Sequence, residues 1–279
     1  MNQETIEQEK MRCPRLAASS YLNTAPLIWS FQHGTRRRAV ELVTHAAPAR
    51  CADLLARGLV DAALVPVIEY QRINNLTVVP GICVGARHSV RSVVLATRGK
   101  KLKDVRTIAL DSSSRTSAAL VQVIFREFLN VAPLVAPQSP DVQRMLEEYD
   151  AALLIGDPAM VFPREGLLVY DLAELWREHT GLGFVFAMWM ARAESPTWII
   201  RNADFAGARD EGLERIEEIV CHYKKELDLS SGKLRSYLLE NISFDLDAEM
   251  RAGLDLFYAL AHKHALIPNV RPLKLIKQG

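Results

Sequence analysis

Arg15-Leu16-Ala17-Ala18-Ser19-Ser20-Tyr21-Leu22-Asn23-Thr24-Ala25-Pro26-Leu27 is the stretch on which the fold turns. Arg15 to Ser19 reads as a strand. Ser20 then begins a polar turn, and Asn23 to Phe31 reads as a short helix. Pro26 falls near its first turn, where a missing N–H costs nothing. A strand that breaks into a polar turn and then a helix is the building unit of an α/β protein. The unit recurs. Val40 to His45 reads as a second strand, Ala49 to Arg57 as a helix stopped by Gly58, and Ala62 to Val67 as a third strand. Val90 to Thr97 reads as a longer strand and Thr107 to Leu110 as another. Leu120, Val121, Ile124, Phe125, Phe128 and Leu129 share one face at three- and four-residue spacing, which predicts an amphipathic helix. Ala151 to Ile155 is an uninterrupted apolar run, the composition of a strand buried on both faces. Gly156-Asp157-Pro158 opens the next helix. The alternation predicts largely parallel sheets.

Past Ala191 the chain reads as helical. Leu213, Ile216 and Val220 keep one register, and Met250, Leu254, Phe257, Tyr258 and Ala261 keep another. The polar stretch Arg98-Gly99-Lys100-Lys101 divides two apolar strands, and Phe184 to Ala191 is long enough to return. The expected organisation is a small lobe over residues 99–186 inserted into a large lobe made of 14–98 and 187–279. Residues 1–13 form an N-terminal extension. Crossings near 97–99 and 185–187 would form a hinge, and a cleft between lobes is where ligands usually bind.

Composition excludes several classes. Lys and Arg number 34 against 33 Asp and Glu, a net charge of +1. Nucleic acid and anionic membrane surfaces both call for a basic excess, so neither is expected as a partner. Arg36-Arg37-Arg38 is read as a solvated loop. Cys13, Cys51, Cys83 and Cys221 form no C-x-x-C pair and no zinc spacing, and are expected to be free buried thiols. The polar, acidic Met1 to Glu9 lacks the marks of a secretory signal, which points to the cytoplasm. Phe184 to Ala191 is too short to span a bilayer. The pattern sets no oligomeric state.

Three polar clusters stand where a strand gives way to a helix, the place where open α/β sheets bind ligands. They are Ser20 to Thr24, Ser112 to Ser117, and Gly156-Asp157. The second holds five Ser/Thr in six positions. One serine would cap the helix. The surplus, with the helix's own free amides, describes an anion site built from Ser114, Thr116 and Ser117. Arg115 either adds a charge or points outward. Asp157, directly before Pro158, has the look of an N-cap. Glu69-Tyr70 ends the third strand at a cleft-facing position. No metal, nucleotide or nucleophile motif occurs, and His262 and His264 fall on different faces of a helix. No strong acid–base pair is visible, so the chemistry must be undemanding or helped by the substrate.

Ser20-Tyr21-Leu22-Asn23-Thr24-Ala25-Pro26-Leu27 resembles the first motif of the chorismate dehydratases of the futalosine route to menaquinone. Ser113-Ser114-Arg115-Thr116-Ser117 and Leu154-Ile155-Gly156-Asp157-Pro158-Ala159 resemble the other two, and the likeness runs in order from about residue 14 to 265. It implies a two-lobed fold of the class II periplasmic-binding-protein type. It also implies loss of water from chorismate without cofactor or metal, with Asn23 as the active-site asparagine and Ser92 as a substrate-binding serine. Ser114, Arg115, Thr116, Ser117, Gly156 and Asp157 complete the expected substrate site. Ala86-Arg87-His88-Ser89 and Pro158 depart from the common pattern. Two alternatives stand beside this: the later dihydroxynaphthoate synthase of the same pathway, and a solute-binding protein for a small carboxylate.

Overall fold

The computed structural model describes residues 13–195 and 202–276. Apart from Cys13, the expected N-terminal extension lies outside the described residues. The strands are β1 (Arg15–Ser19), β2 (Glu41–His45), β3 (Ala62–Pro66), β4 (Leu76–Ala86), β5 (Val93–Thr97), β6 (Thr107–Asp111), β7 (Leu134–Gln138), β8 (Ala151–Ile155), β9 (Leu168–Asp171), β10 (Phe184–Arg192) and β11 (Ser243–Asp245). The helices are α1 (Ala25–Gln32), α2 (Pro48–Ala56), α3 (Glu69–Arg72), α4 (Thr116–Val123), α5 (Val142–Glu148), α6 (Gly156–Val161), α7 (Leu172–Thr180), α8 (Phe205–Glu214), α9 (Ile216–Leu227), α10 (Ser231–Ser236) and α11 (Ala248–Lys263).

Two sheets form, ordered β11-β4-β10-β3-β1-β2 and β7-β6-β8-β5-β9. This is the expected α/β architecture of two lobes with one inserted in the other. The hinge differs from expectation. β5 belongs to the small sheet and β10 to the large one. The crossings therefore fall in residues 87–92 and 181–183, and Val93 to Arg98 move to the small lobe. The apolar run at 90–97 hides this, because burial looks the same in either lobe.

The sheets are also mixed rather than largely parallel. β1 pairs in parallel with β2 and β3, and β6 with β7 and β8. The crossover strands run the other way: β10 is antiparallel to β3 and β4, and β5 to β8 and β9. A strand arriving from the opposite lobe enters against the direction of the local βα units. β4, β7, β9 and β11 have no counterpart among the strands read from the sequence. In β4, residues 79–82, with Pro80 and Gly81, fall between the positions paired to Met190 and Met188 of β10, so the strand pattern is interrupted by a bulge.

Alternation in the small sheet divides its side chains between two cores. Ala151, Leu153 and Ile155 of β8 join the main core, while Ala152 and Leu154 join a second one on the far face. The buried run predicted for β8 has this cause. The α4 helix keeps its apolar face and widens into a π turn at Ile124–Phe128. Arg36 is not a free loop residue, since it pairs with Asp204 and Glu211 and ties the loop to α8. Cys51 and Cys83 are buried as expected, but Cys13 and Cys221 are exposed.

Helix α8 lies on α1 so closely that a Cβ on Gly212 would stand 1.9 Å from the Pro26 carbonyl oxygen. Gly212→Ala is therefore expected to destabilise the fold by about 1–3 kcal/mol. Thermal unfolding reads this as a lowered midpoint. An unchanged midpoint would mean that the two helices separate at no cost.

Candidate active site

The carboxyl ends of β1, β3, β6 and β8 open on a cleft between the lobes. It encloses about 520 Å³ counted to its mouth, lined from the large lobe by Tyr21, Asn23 and Phe186 among others, and from the small lobe by Ser113 to Ser117 and Gly156.

The large-lobe jaw is a hydrogen-bonded turn. Thr24 Oγ1 donates to the carbonyls of Ser19 at 2.6 Å and Tyr21 at 2.8 Å. The Tyr223 hydroxyl donates to the Ser20 carbonyl at 2.8 Å from helix α9. These contacts hold Asn23, part-exposed, at the cleft wall. Behind it stands Tyr237, fully buried, whose hydroxyl donates to Ser92 Oγ at 2.6 Å. The Asn23 side chain lies beside the same phenol and opposes the rise that burial gives its pKa. The Asn23 amide brings one acceptor oxygen and two N–H donors to the cleft wall. Ser92 is itself fully buried and does not line the cleft, which it reaches through Tyr237. Sequence reading missed Tyr237, because an isolated tyrosine in a helical stretch carries no local signal of what lies opposite it.

The small-lobe jaw is built on Asp111, which is 1% exposed. Its carboxylate accepts from the Ser113 amide at 2.9 Å, the Ser113 hydroxyl at 2.6 Å and the Ile155 amide at 3.3 Å. Burial raises its pKa above the ordinary carboxylate value, against the pull of those donors. The serine-rich loop is thereby folded back so that α4 starts at the cleft. Ser114 Oγ is buried there with no hydrogen-bond partner. A buried hydroxyl left unpaired costs roughly 1–3 kcal/mol, which a ligand oxygen would recover.

Capping divides the helices by where they begin. The starts that reach the cleft, at Pro48, Thr116 and Gly156, have no side-chain cap. Elsewhere α5, α7, α8, α10 and α11 are capped by Asp141, Asp171, Asp204, Ser230 and Asp247. Among the described residues α1, α3 and α9, which follow directly on a preceding helical turn, also lack one. Pro48 has no N–H and the Gly156 amide donates to the Ser92 carbonyl at 2.7 Å, so the open start at the cleft is that of α4, whose amides and dipole face the place where an anion would sit.

The same residues stitch the lobes together. Asp157 is not an N-cap: it stands inside the first turn of α6, and its carboxylate accepts the Leu22 amide of the other lobe at 3.0 and 3.3 Å. Burial pushes its pKa up to about 7, since Leu22 alone does not offset lost hydration. Thr116 Oγ1 accepts the Ile68 amide at 3.3 Å. Arg115 points across the seam to Glu69 at 2.8 Å and Asp53 at 2.6 Å, so its charge is spent on the closed arrangement. Gly156, at φ +62°, receives the Tyr21 ring, which a Cβ would meet at 2.4 Å. At the hinge, Asp171 accepts the Val90 amide at 3.0 Å and the Arg91 amide at 2.6 Å. Among the described residues no group of three His, Cys, Asp or Glu is gathered that could hold a metal ion.

A family model described as menaquinone biosynthesis matches residues 14–263. A chorismate dehydratase of Thermus thermophilus is 32% identical over 265 residues, covering 88% of this chain and 94% of that protein. One from Campylobacter jejuni is 26% identical over 206 residues, covering 74% and 76%. Among solved structures, a protein of Archaeoglobus fulgidus superposes with a TM-score of 0.70 at 17% identity, covering 91% of this chain and 98% of that one. The periplasmic aliphatic sulphonate binding protein of Escherichia coli superposes at 0.62 with 17% identity, covering 96% and 94%. The fold is that of the periplasmic binding proteins, as the sequence motifs imply.

Two outcomes follow from the seam. Asp157 is buried at the seam where it takes the Leu22 amide of the other lobe, and burial there favours its protonated form. The raised pKa means that the closed state binds more protons between about pH 4 and 7, and closure weakens as pH rises through 7. The KM for a cleft ligand is therefore expected to rise from pH 6 to pH 8, and Asp157→Asn to flatten that rise. A wild-type profile with no slope over this range would remove Asp157 from closure. Gly156→Ala, which forces Tyr21 aside, is expected to weaken ligand binding at least tenfold in a titration. Unaltered binding would mean that the ring is free to move.

Proposed function

The chain belongs to the menaquinone-biosynthesis family, and within it we propose that it acts as a chorismate dehydratase of the futalosine route, removing water from chorismate to give 3-[(1-carboxyvinyl)oxy]benzoate. The observation that carries this reading is the uncapped start of α4 at a cleft lined by both lobes, with the orphan Ser114 hydroxyl beside it. Chorismate bears two carboxylates and needs two anion pockets.

The reaction suits a site without a strong base. One ring C–O bond and one neighbouring ring C–H bond break, a C=C bond forms, and hydroxide and proton leave as water. The product ring is aromatic, which supplies the driving force. The protein has to hold the eliminating geometry, and orientation of this kind is worth about 7–11 kcal/mol in favourable cases. In the proposed mechanism the enolpyruvyl carboxylate of the substrate takes the ring proton. Asn23, fixed by Tyr237, orients that carboxylate or donates to the departing hydroxyl. Ser114, Thr116 and Ser117 bind the other carboxylate with the amides of α4. Ser92 acts by holding Tyr237, Gly156 makes room for Tyr21, and Arg115 and Asp157 close the lobes around the substrate. No cofactor takes part in this scheme. No described helix is long and apolar enough to cross a membrane, and we place the enzyme in the cytoplasm, where its substrate would be met.

Incubation of the purified protein with chorismate is expected to yield a product lighter by one water with aromatic absorbance. Chorismate recovered unchanged would overturn the reading and leave a binding protein. Asn23→Ala is expected to lower kcat by about 10²-fold. Tyr237→Phe, which frees Asn23 to rotate, is expected to lower kcat while leaving KM within about twofold, and full turnover in it would show that Asn23 needs no support. Ser114→Ala is expected to raise KM by roughly tenfold, the loss of one hydrogen bond to a charged group.

A further inference from the structure

A second pocket lies on the lobe seam and shares no residue with the cleft. It encloses about 680 Å³ counted to its mouth and is lined by Arg91, Met160, Phe162, Arg164, Leu229 and Lys233. Three of its six lining residues are cations, and none of the three makes an ion pair among the described residues, unlike Arg87, Arg177, Arg209 and Arg235. The other three are apolar and part-buried. The cations come from three places: Arg164 from the small lobe just after α6, Arg91 from the hinge, and Lys233 from α10 of the large lobe.

Arg91 is the informative member. Its backbone sits at φ +59°, a conformation that favours glycine. Arginine is kept there and its guanidinium is aimed, donating to Ser236 Oγ at 3.1 Å and Asn241 Oδ1 at 3.2 Å. Both partners are neutral, so the charge is oriented without being cancelled. Arg164 is likewise placed over the Phe162 ring, 5.1 Å from its centre, and donates to the Ala159 carbonyl. The nearest carboxylate bonded to this group is Asp171, which takes the Arg91 backbone amide and not its side chain.

We propose that this pocket is a second, non-catalytic site for a small dianion with an apolar or aromatic body, held by Arg91, Arg164 and Lys233. Arg91, Arg164 and Lys233 bring like charges to the lining of one pocket, and a dianion supplies the opposite charge that this lining lacks. Phe162, Met160 and Leu229 cover the apolar body. Because Arg164 and Lys233 belong to opposite lobes, one bound anion spans the seam and favours the closed arrangement.

Phenyl phosphate, titrated into the full chain at constant ionic strength, tests this by thermal unfolding. A saturable rise in the midpoint is expected. Arg164→Glu and Lys233→Glu should each abolish it, while Ser114→Ala, which alters only the cleft, should leave it intact. No saturable rise, or an equal rise in all four proteins, would overturn the proposal. A rise lost in Ser114→Ala and kept in the charge reversals would assign the binding to the cleft. Loss in only one reversal would overturn the bridging of the lobes. Turnover is not read in this experiment, so its failure is separate from failure of the dehydratase reading.

Discussion

Every helix begins with amide groups that have no partner within the helix, and this molecule handles that constraint in two ways. Away from the cleft an aspartate or serine closes the helix start. At the cleft the start of α4 is left open. The anion-facing part of the cleft is therefore backbone as well as hydroxyl, with positive potential that needs no lysine and cannot be titrated away. Side chains add direction. Ser114 and Asn23 both belong to the cleft wall, the first placed by Asp111 through its loop and the second lying beside Tyr237.

Lobe closure is built from the same residues that surround the ligand space. Arg115 bonds Glu69 and Asp53, Thr116 takes the Ile68 amide, and Asp157 takes the Leu22 amide. Arg115 and Asp157 thus link the lobes rather than stand free for substrate, while Thr116, which only accepts across the seam, keeps its hydroxyl proton to donate. Coupling of this kind excludes water from the site as it closes, which strengthens each remaining polar contact. It also places a carboxyl group with a pKa of about 7 on the seam, so closure carries a pH dependence near neutrality.

The site was legible in the sequence to the extent that its residues are consecutive. Ser20 to Thr24, Ser113 to Ser117 and Gly156-Asp157 all reach the cleft or its seam, since each follows a strand in a βα unit. The role of Ser92 was less legible. It is three-dimensional, depending on a tyrosine 145 positions away in the chain. Asp157 looked like a cap because Pro158 follows it, and only the opposite lobe shows what it accepts. Arg115 could not be oriented from sequence, because Glu69 and Asp53 lie in another lobe.

What the sequence by itself determined is the local alphabet: which runs are strands, which helices have apolar faces, and where polar turns separate them. Periodicity and composition act over a few residues, and they suffice for that. The tertiary structure decided the direction of the crossover strands, the position of the hinge at residues 87–92 and 181–183, and the pairing of β4 around its Pro80-Gly81 bulge. Those depend on contacts between residues far apart in the chain, where burial alone does not say which lobe or which neighbour supplies the contact. The segment from Ser20 to Pro26 marks the boundary between the two. Its turn is written in its own residues, but the Asp157 carboxylate and the phenols of Tyr223 and Tyr237 that make it a jaw come from elsewhere in the chain.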